Sequence, residues 1–170
     1  VILFFGLIRE YKGLDLLIEA TQILKNKLNN FKIIVAGECY DDKKKYLDLT
    51  KKLNVEDLFI FNFDFIKNED VSKYFSAADV VVLPYRSATQ SGIAPISYHF
   101  NRPVISTDVG GLSESIHHKK SGLLCKPDSL SISNSIIDFY NSNYDYGSYI
   151  EEYKKTFSWK AFADKIISAI

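Results

Sequence analysis

The chain has 170 residues, 46% of them apolar and 25% charged, and its 21 basic and 21 acidic side chains leave no net charge. This length supports one domain with a substantial core, and the balanced charge gives no support for nucleic acid or an acidic membrane surface as a partner. No apolar run approaches the about 20 residues of a membrane span, so we expect a cytoplasmic protein without a membrane span.

Short, continuous apolar runs alternate with helical patterns along the chain. Strands are predicted at 1–6, 31–37, 58–63, 79–84, 103–107 and 121–126. Because these runs are continuous rather than alternating, they favour parallel strands that are covered on both faces. Helices are predicted at 13–28, 41–53, 68–77, 91–100 and 110–116, and the C-terminal part, 128–170, is predicted as helices with a break at 141–147.

This order predicts an α/β fold: a Rossmann-like, doubly wound parallel sheet of about six strands, with helices on both faces and extra C-terminal helices. We treat 1–170 as a single domain. The sequence contains no methionine and begins inside a predicted strand, so we expect an excised piece of a longer protein. Ligands of such sheets bind beyond the carboxyl ends of the strands, which makes the loops that follow strands the candidates for a site.

The loop GLIREYKG, from Gly6 to Gly13, joins the first predicted strand to the first predicted helix. Its two long cations, Arg9 and Lys12, can converge above the sheet, where a diphosphate would meet both of them and a helix N-terminus. The loop matches neither the GxxxxGK[ST] phosphate loop nor the dinucleotide GxGxxG pattern. The alternative is two solvated cations that flank a helix.

The stretch SATQSGIAPISYHF, residues 87–100, follows the fourth predicted strand and contains no carboxylate, lysine or cysteine. Ser91 or Thr89 is the predicted helix N-cap, and Gly92 allows a ligand to approach the backbone. The N–H groups of Ser91, Gly92 and Ile93 would then face the crevice at the strand ends. The stretch is therefore either an anion site built from backbone groups or a plain helix start.

Two further loops carry candidate residues. The stretch TDVGGLSES, residues 107–115, places Gly110 beside Gly111, which again suggests a close approach to the backbone. Glu114 either caps the short helix that follows or points at a ligand hydroxyl. Asp64, after the third predicted strand, is the carboxylate best placed for a nucleoside edge, although a turn-forming aspartate is the commoner explanation.

Histidines and cysteines give weak signals. His99 falls in an apolar helical pattern and is expected to be buried, whereas His117 and His118 are expected in an exposed turn. Cys39 and Cys125 match no metal spacing, and the sequence has no Ser-His-Asp, HExxH or paired Cys/His set. We therefore expect neither a metal nor a cofactor.

Six segments form a collinear series: FFGLIREYKGLDLLIEA, IIVAGE, FIFNFDFIKNEDVSKYFSAADVVVLPY, SATQSGIAPISYHFNRPVISTDVGGLSESI, KKSGLLCKPDS and FSWKAFADKI. The series resembles the C-terminal, donor-binding domain of GT-B glycosyltransferases of group 1, family 4, over essentially the whole chain. The resemblance implies an enzyme of two Rossmann-like domains with the active site between them. This chain would be the nucleotide-sugar-binding half, and its partners would be the nucleotide-sugar donor and a missing N-terminal acceptor domain.

The resemblance also implies roles for single residues. Arg9 and Lys12 match the catalytic cations that neutralise the donor diphosphate, and Asn62, Phe63 and Asp64 match the segment beside the nucleobase. The other implied donor-binding residues, which include a GGxxE run, are Gly6, Gln90, Ser91, Gly92, Ile93, Gly110, Gly111 and Glu114. The implied reaction transfers a sugar to a glycan, lipid or similar acceptor with retention of configuration, and the two cations and a helix N-terminus replace a metal.

The sequence departs from the family pattern at one place. The family has two glutamates eight residues apart, which contact the donor sugar and the ribose. These positions fall at Ala88 and Ile96 or, in a shifted frame, at Gln90 and Ser97. In either frame, carboxylate–hydroxyl hydrogen bonds worth roughly 1.5–3 kcal/mol each are absent or replaced by weaker ones. The identity of the sugar and the residues that contact it therefore stay open.

Three functions are compatible with these observations. The first is the donor half of a retaining glycosyltransferase, inactive as an isolated fragment because domain closure needs both halves. The second, motivated by the missing glutamates, is a non-catalytic nucleotide-sugar-binding or assembly module on the same fold. The third is an unrelated doubly wound domain of the flavodoxin or receiver type, although no acidic cluster follows the first strand as a receiver needs. Membrane-peripheral attachment of the full-length protein is the alternative to a purely cytoplasmic location.

Overall fold

A computed structural model describes residues 1–157, 163 and 166–168. One sheet contains six strands in the order β3-β2-β1-β4-β5-β6. The strands are β1 (Ile2–Phe5), β2 (Ile33–Ala36), β3 (Phe59–Asn62), β4 (Val80–Leu83), β5 (Val104–Thr107) and β6 (Gly122–Cys125). Each lies inside a predicted strand segment, and all neighbouring pairs are parallel, so the predicted six-stranded parallel sheet is confirmed.

The central strands are buried on both faces. Every residue of β1, β4 and β5 is buried, and successive side chains of a strand point to opposite faces. Layers of helices must therefore cover both sides, as the continuous apolar runs predicted. On one side, α6 (Ser129–Asn141) packs against α1 (Leu14–Leu24) and also contacts β5 and β6.

The remaining helices are α2 (Lys43–Lys52), α3 (Asn68–Ala77), α4 (Ile93–His99), α5 (Leu112–Ser115) and α7 (Tyr146–Tyr153). Of these helices, α3 has the predicted bounds, whereas α2, α4 and α5 are shorter than the sequence patterns suggested. The predicted C-terminal break is present between α6 and α7, while the helical prediction beyond 157 lies mostly outside the described residues. Within the described part of the chain, no helix combines the length and apolar character needed to cross a membrane.

The order of the strands fixes where a site can form. β1 pairs with β2 on one side and with β4 on the other, so the direction of winding reverses between β1 and β4. The order 3-2-1-4-5-6 is that of dinucleotide-binding Rossmann folds, which bind ligands at the carboxyl side of this switch. The loops after β1 and β4 are therefore brought side by side, although they are distant in the sequence.

One packing prediction is wrong. His99, expected in the core, is exposed at the last position of α4, while its neighbour Tyr98 is fully buried. The short α4 turns Ala94, Ser97 and Tyr98 inward. The predicted helix is present, but its buried face ends at Tyr98, one residue before the histidine.

Candidate functional site

The loop after β1 is held firmly against the loop after β4. It forms a 3-10 turn, Glu10–Lys12, that ends at Gly13 in the left-handed conformation, with φ of 67°. A Cβ on Gly13 would lie 2.0 Å from the Pro84 carbonyl oxygen, so only glycine permits this contact. The Arg86 N–H also donates a hydrogen bond to the Tyr11 carbonyl oxygen at 2.7 Å.

This turn buries the side chain of Lys12. Lys12 is only 9% exposed, and it makes no ion pair with any carboxylate among the described residues. Burial, followed by repulsion from Arg9, lowers the pKa of the Lys12 ammonium. A buried ammonium without a counterion is costly, and such unpaired charges are typical of sites that receive a ligand of the opposite charge.

Three of the predicted site residues, Gly6, Lys12 and Ile93, lie close together at this ammonium. A Cβ placed on Gly6 would lie 3.4 Å from Lys12 Nζ and 3.3 Å from Ile93 Cδ1. The cation and the start of α4 therefore face each other across Gly6. They line a pocket of about 380 Å³, together with Tyr11, Tyr85 and the segment 87–92. None of the described residues that line this pocket is a carboxylate.

Arg9 does not line the same pocket. Its guanidinium lies 4.7 Å from the centre of the Tyr40 ring, and the side chain borders a neighbouring cavity of about 740 Å³ that shares Tyr11 and Ser87 with the first. The two predicted cations are thus near enough for Arg9 to affect the pKa of Lys12. In this conformation they do not converge on one point.

The start of α4 matches the sequence prediction in part. The N-cap is Gly92, so the prediction of Ser91 or Thr89 at that position is wrong, although Ser91 Oγ, one residue earlier, accepts a hydrogen bond from the Ile93 N–H at 3.2 Å. The Ile93 N–H is therefore occupied, which corrects the expectation that it is free. The N–H groups of Ser91 and Gly92 donate to no group within the described chain, and apart from its neighbours along the chain no described atom lies within 4 Å of a Cβ built on Gly92.

The positions of the missing glutamates are not equivalent. Gln90 is exposed and lines the pocket of Lys12, so its amide can reach a ligand there. Ser97 is fully buried, and its hydroxyl donates to the Ile93 carbonyl oxygen at 2.8 Å within the helix. Ile96 packs against the hydrophobic core, whereas Ala88 lines the pocket. A neutral replacement for the first glutamate is thus available at Gln90, but Ser97 cannot replace the second.

The two adjacent glycines, Gly110 and Gly111, allow a close approach of the protein's own backbone. Gly110 has φ of 53°, and a Cβ there would lie 1.7 Å from the Ala88 carbonyl oxygen. The corresponding distance from Gly111 to the Thr89 carbonyl oxygen is 2.2 Å. The close approach predicted from the sequence is therefore real, but the approaching group is the loop after β4. Glu114 is exposed, and among the described residues nothing pairs with its carboxylate. The prediction that its side chain caps the short helix is therefore wrong.

The proposed nucleobase segment lies away from this pocket. Asn62 ends β3, and β2 and β1 separate that strand from β4. The Asn62 side chain is occupied, since it donates to Tyr74 Oη at 2.7 Å and accepts from the Asp64 N–H at 3.1 Å. Phe63 stacks on Phe61 with ring centres 4.9 Å apart, and Asp64 is exposed. A base contact by these residues stays a prediction.

Sequence reasoning missed Tyr85. This residue is 3% exposed, and its ring lies 5.3 Å from Lys12 Nζ. Its hydroxyl is 3.4 Å from Ser91 Oγ. The sequence did contain a signal for it. Tyr85 directly follows the predicted strand 79–84, so it is an aromatic residue at the start of a loop that was already a candidate for the site.

The charge in the pocket is that of protein side chains. Within the described residues, no three His, Cys, Asp or Glu side chains are grouped so that they could hold a metal ion. The pKa of Tyr85 is raised to about 12 by burial, so its hydroxyl is neutral at neutral pH. The arrangement defines a class of protein: a doubly wound α/β domain with a cationic pocket at the switch between β1 and β4.

The comparison with known sequences identifies the family. The family described as glycosyl transferases group 1 matches residues 1–157, and the chain therefore belongs to it. An uncharacterized glycosyltransferase of Methanocaldococcus jannaschii is 29% identical over 178 residues, which cover 99% of this chain and 44% of the relative. The chain spans 30–44% of the length of the first curated relatives that it matches.

Solved structures agree with the fold. The C-terminal domain of a group 1 family glycosyl transferase from Francisella tularensis superposes with a TM-score of 0.80 at 23% identity, over 91% of this chain and 84% of that one. Anabaena HepE in complex with UDP-glucose gives a TM-score of 0.77 at 17% identity, over 99% of this chain and 48% of that one. These likenesses confirm the fold of a glycosyltransferase C-terminal domain.

Proposed function

We propose that this chain is the donor-binding half of a retaining glycosyltransferase and that it holds the diphosphate of a nucleotide sugar in the pocket of Lys12. The observation that carries the proposal is the buried ammonium of Lys12, which lacks a counterion among the described residues and faces the switch point. A diphosphate would supply the missing negative charge. The complex of Anabaena HepE with UDP-glucose supports a nucleotide sugar as the ligand.

The chemistry follows from where charge develops. When the bond between the sugar and the diphosphate breaks, negative charge grows on the leaving phosphate. A cation already held beside that phosphate stabilises the transition state without having to reorganise. Lys12 would serve in this way without a metal, and Arg9 would join it by leaving the Tyr40 ring, from which its guanidinium is 4.7 Å away.

Backbone groups would complete the phosphate contacts. Ser91 and Gly92, whose N–H groups donate to no described group, both line the pocket of Lys12. Since α4 has only seven residues, the dipole of the helix contributes less than these direct donors. Gln90 would contact the sugar through its amide, and the nucleobase would lie toward Phe63 and Asp64.

The proposal is tested by calorimetric titration of the 170-residue chain with UDP, GDP and ADP. Lys12→Met removes the buried charge and should weaken binding about 10- to 150-fold, the range of one charge-assisted hydrogen bond. Lys52→Met, at an exposed position of α2, is the matched control and should change nothing. Failure of all three nucleotides to bind, or equal affinity of the Lys12→Met variant, would refute the assignment.

A second candidate is a non-catalytic nucleotide-sugar-binding or assembly module. The observation in its favour is that the described lining of the pocket has no carboxylate to bind sugar hydroxyls. The two candidates differ in the activity of the full-length parent. Transfer of sugar from any nucleotide donor, assayed by release of the nucleoside diphosphate, would exclude the second candidate.

The remaining parts of the proposal concern the whole protein. An N-terminal acceptor domain would close over the pocket, and the isolated chain would be inactive because it lacks that domain. Membership of family 4, retention of configuration and a cytoplasmic or membrane-peripheral location belong to the same proposal. Adding a separately expressed N-terminal half should restore transfer if the division between donor and acceptor halves is right.

A further inference from the structure

The geometry points to Tyr85 as the residue that positions Lys12 for the donor diphosphate, by offering the ammonium a π face in place of a carboxylate. This inference rests on the proposed function and goes beyond it, because it names a positioning residue to which the family resemblance assigned no role. Lys12 Nζ lies 5.3 Å from the centre of the Tyr85 ring, within the about 6 Å at which a cation is attracted by an aromatic face.

Among the described side chains around the Lys12 ammonium, the Tyr85 ring is the main one that attracts it. The described carboxylates near the turn have other partners: Asp15 accepts from Arg86 at 2.6 Å, and Glu10 lies 3.7 Å from Lys45. A carboxylate at position 85 would pair with Lys12 and cancel the charge that a phosphate needs. An aromatic face attracts the cation but leaves its net charge intact.

Tyr85 is itself rigidly placed. Its carbonyl oxygen accepts a hydrogen bond from Thr107 Oγ1 at 2.6 Å, which ties it to the end of β5. The Tyr11 ring packs edge-on against it with ring centres 6.2 Å apart. The side chain is 3% exposed, so it has little freedom to leave the ammonium. The Tyr85 ring is therefore fixed in place, and it orients the flexible side chain of Lys12.

The inference predicts that Tyr85 acts on ligand binding through Lys12. The test is a double-mutant cycle with Tyr85→Leu and Lys12→Met, in which NMR amide-shift titrations measure the dissociation constant for UDP, GDP or ADP, down to millimolar affinity. Tyr85→Leu should weaken binding about 5- to 30-fold in the wild-type background, the range of a desolvated cation–π contact. The same change in the Lys12→Met background should have less than a twofold effect.

Two further variants separate positioning from general stability. Tyr85→Phe keeps the ring and loses only the hydroxyl, and should recover most of the affinity that Tyr85→Leu loses. Phe75→Leu removes another buried ring, which packs on Phe5 in the core, and should lower the melting temperature without weakening nucleotide binding.

Each outcome decides one question. Equal losses from Tyr85→Leu in both backgrounds would mean that the ring only shapes the pocket, and would overturn this inference while the proposed function stands. Failure of Tyr85→Phe to recover affinity would overturn it too, because the hydroxyl would then be the active part. If the wild-type chain binds none of the three nucleotides, the proposed function and this inference fall together.

Discussion

Gly110 and Ala88 are in direct backbone contact: a Cβ on Gly110 would lie 1.7 Å from the Ala88 carbonyl oxygen. The contact joins the loop after β5 to the loop after β4, which carries most of the pocket lining. A second contact of the same kind joins Gly111 to Thr89. The shape of the Lys12 pocket therefore depends on two glycines that do not themselves line it.

The first prediction concerns this contact. Gly110→Ala should lower the free energy of unfolding by about 2–4 kcal/mol, because the left-handed backbone disfavours alanine and the new methyl group meets a rigid carbonyl. The measurement is chemical denaturation of both variants. Gly92→Ala is the control: its backbone is right-handed, and apart from its neighbours along the chain no described atom lies near the new methyl group. It should stabilise the fold by about 0.4–1 kcal/mol, and equal destabilisation by the two changes would contradict the account.

The second prediction separates stability from binding. Lys12→Met should raise the free energy of unfolding at pH 7 by about 0.5–2 kcal/mol, as removal of a strained functional charge commonly does, while it weakens nucleotide binding. Folding depresses the pKa of this lysine, so at any pH below that lowered pKa both states are protonated and the folded state carries the full cost of burial. That cost, and with it the advantage of methionine, shrinks as pH rises through the lowered pKa. A stability difference that grew with pH would contradict the assignment.

The third prediction concerns proton uptake on binding. Burial and Arg9 lower the pKa of Lys12 in the free chain, and a bound diphosphate should raise it again because an anion favours the ammonium. Between the two pKa values, binding takes up a proton, and affinity falls as pH rises through the pKa of the free chain. Calorimetry in alkaline buffers of different ionisation enthalpy measures this uptake. The Lys12→Met variant reveals any contribution from the nucleotide, and uptake of the same size in that variant would assign the proton to another group.

The fourth prediction concerns the neutral lining at Gln90. Gln90→Glu places a carboxylate in the pocket that Lys12 also lines, so it should pair with the ammonium or repel the diphosphate. Binding of UDP alone should weaken about 5- to 50-fold, equivalent to about 1–2.3 kcal/mol. Gln90→Met, of similar size and neutral, is the control. Unchanged UDP binding by Gln90→Glu would place residue 90 away from the phosphate and toward the sugar.

The strands and their direction could be predicted from the sequence because burial on both faces leaves a direct trace. The runs at 79–84 and 103–107 are apolar at successive positions, and the strands found there, β4 and β5, are buried throughout. The two glycines before α5 also predicted a close approach correctly. The sequence could not identify the approaching group, because Ala88 becomes a neighbour of Gly110 only when the sheet brings their loops together.

The site was harder to predict because it depends on burial and orientation. Arg9 and Lys12 are both cations in one loop, yet Lys12 is buried beside the α4 start and Arg9 turns to the Tyr40 ring. The 3-10 turn between them determines this difference, and no periodic pattern signals such a turn. The Ser97 hydroxyl likewise looked available in the sequence, but the helix takes it up in a bond to the Ile93 carbonyl oxygen.

The central position of β1 has a consequence for the order of folding. Its pairing with β4 joins residues as distant as Ile2 and Val80, whereas β2 and β3 follow it more closely along the chain. Closing the longer loop costs more entropy, so the half-sheet β3-β2-β1 can form first and leave one edge of β1 unpaired. Such an open edge is prone to aggregation until β4 covers it. The pocket of Lys12 is completed by that same late pairing, so a ligand that binds only the finished pocket would shift the half-folded chain toward the complete sheet.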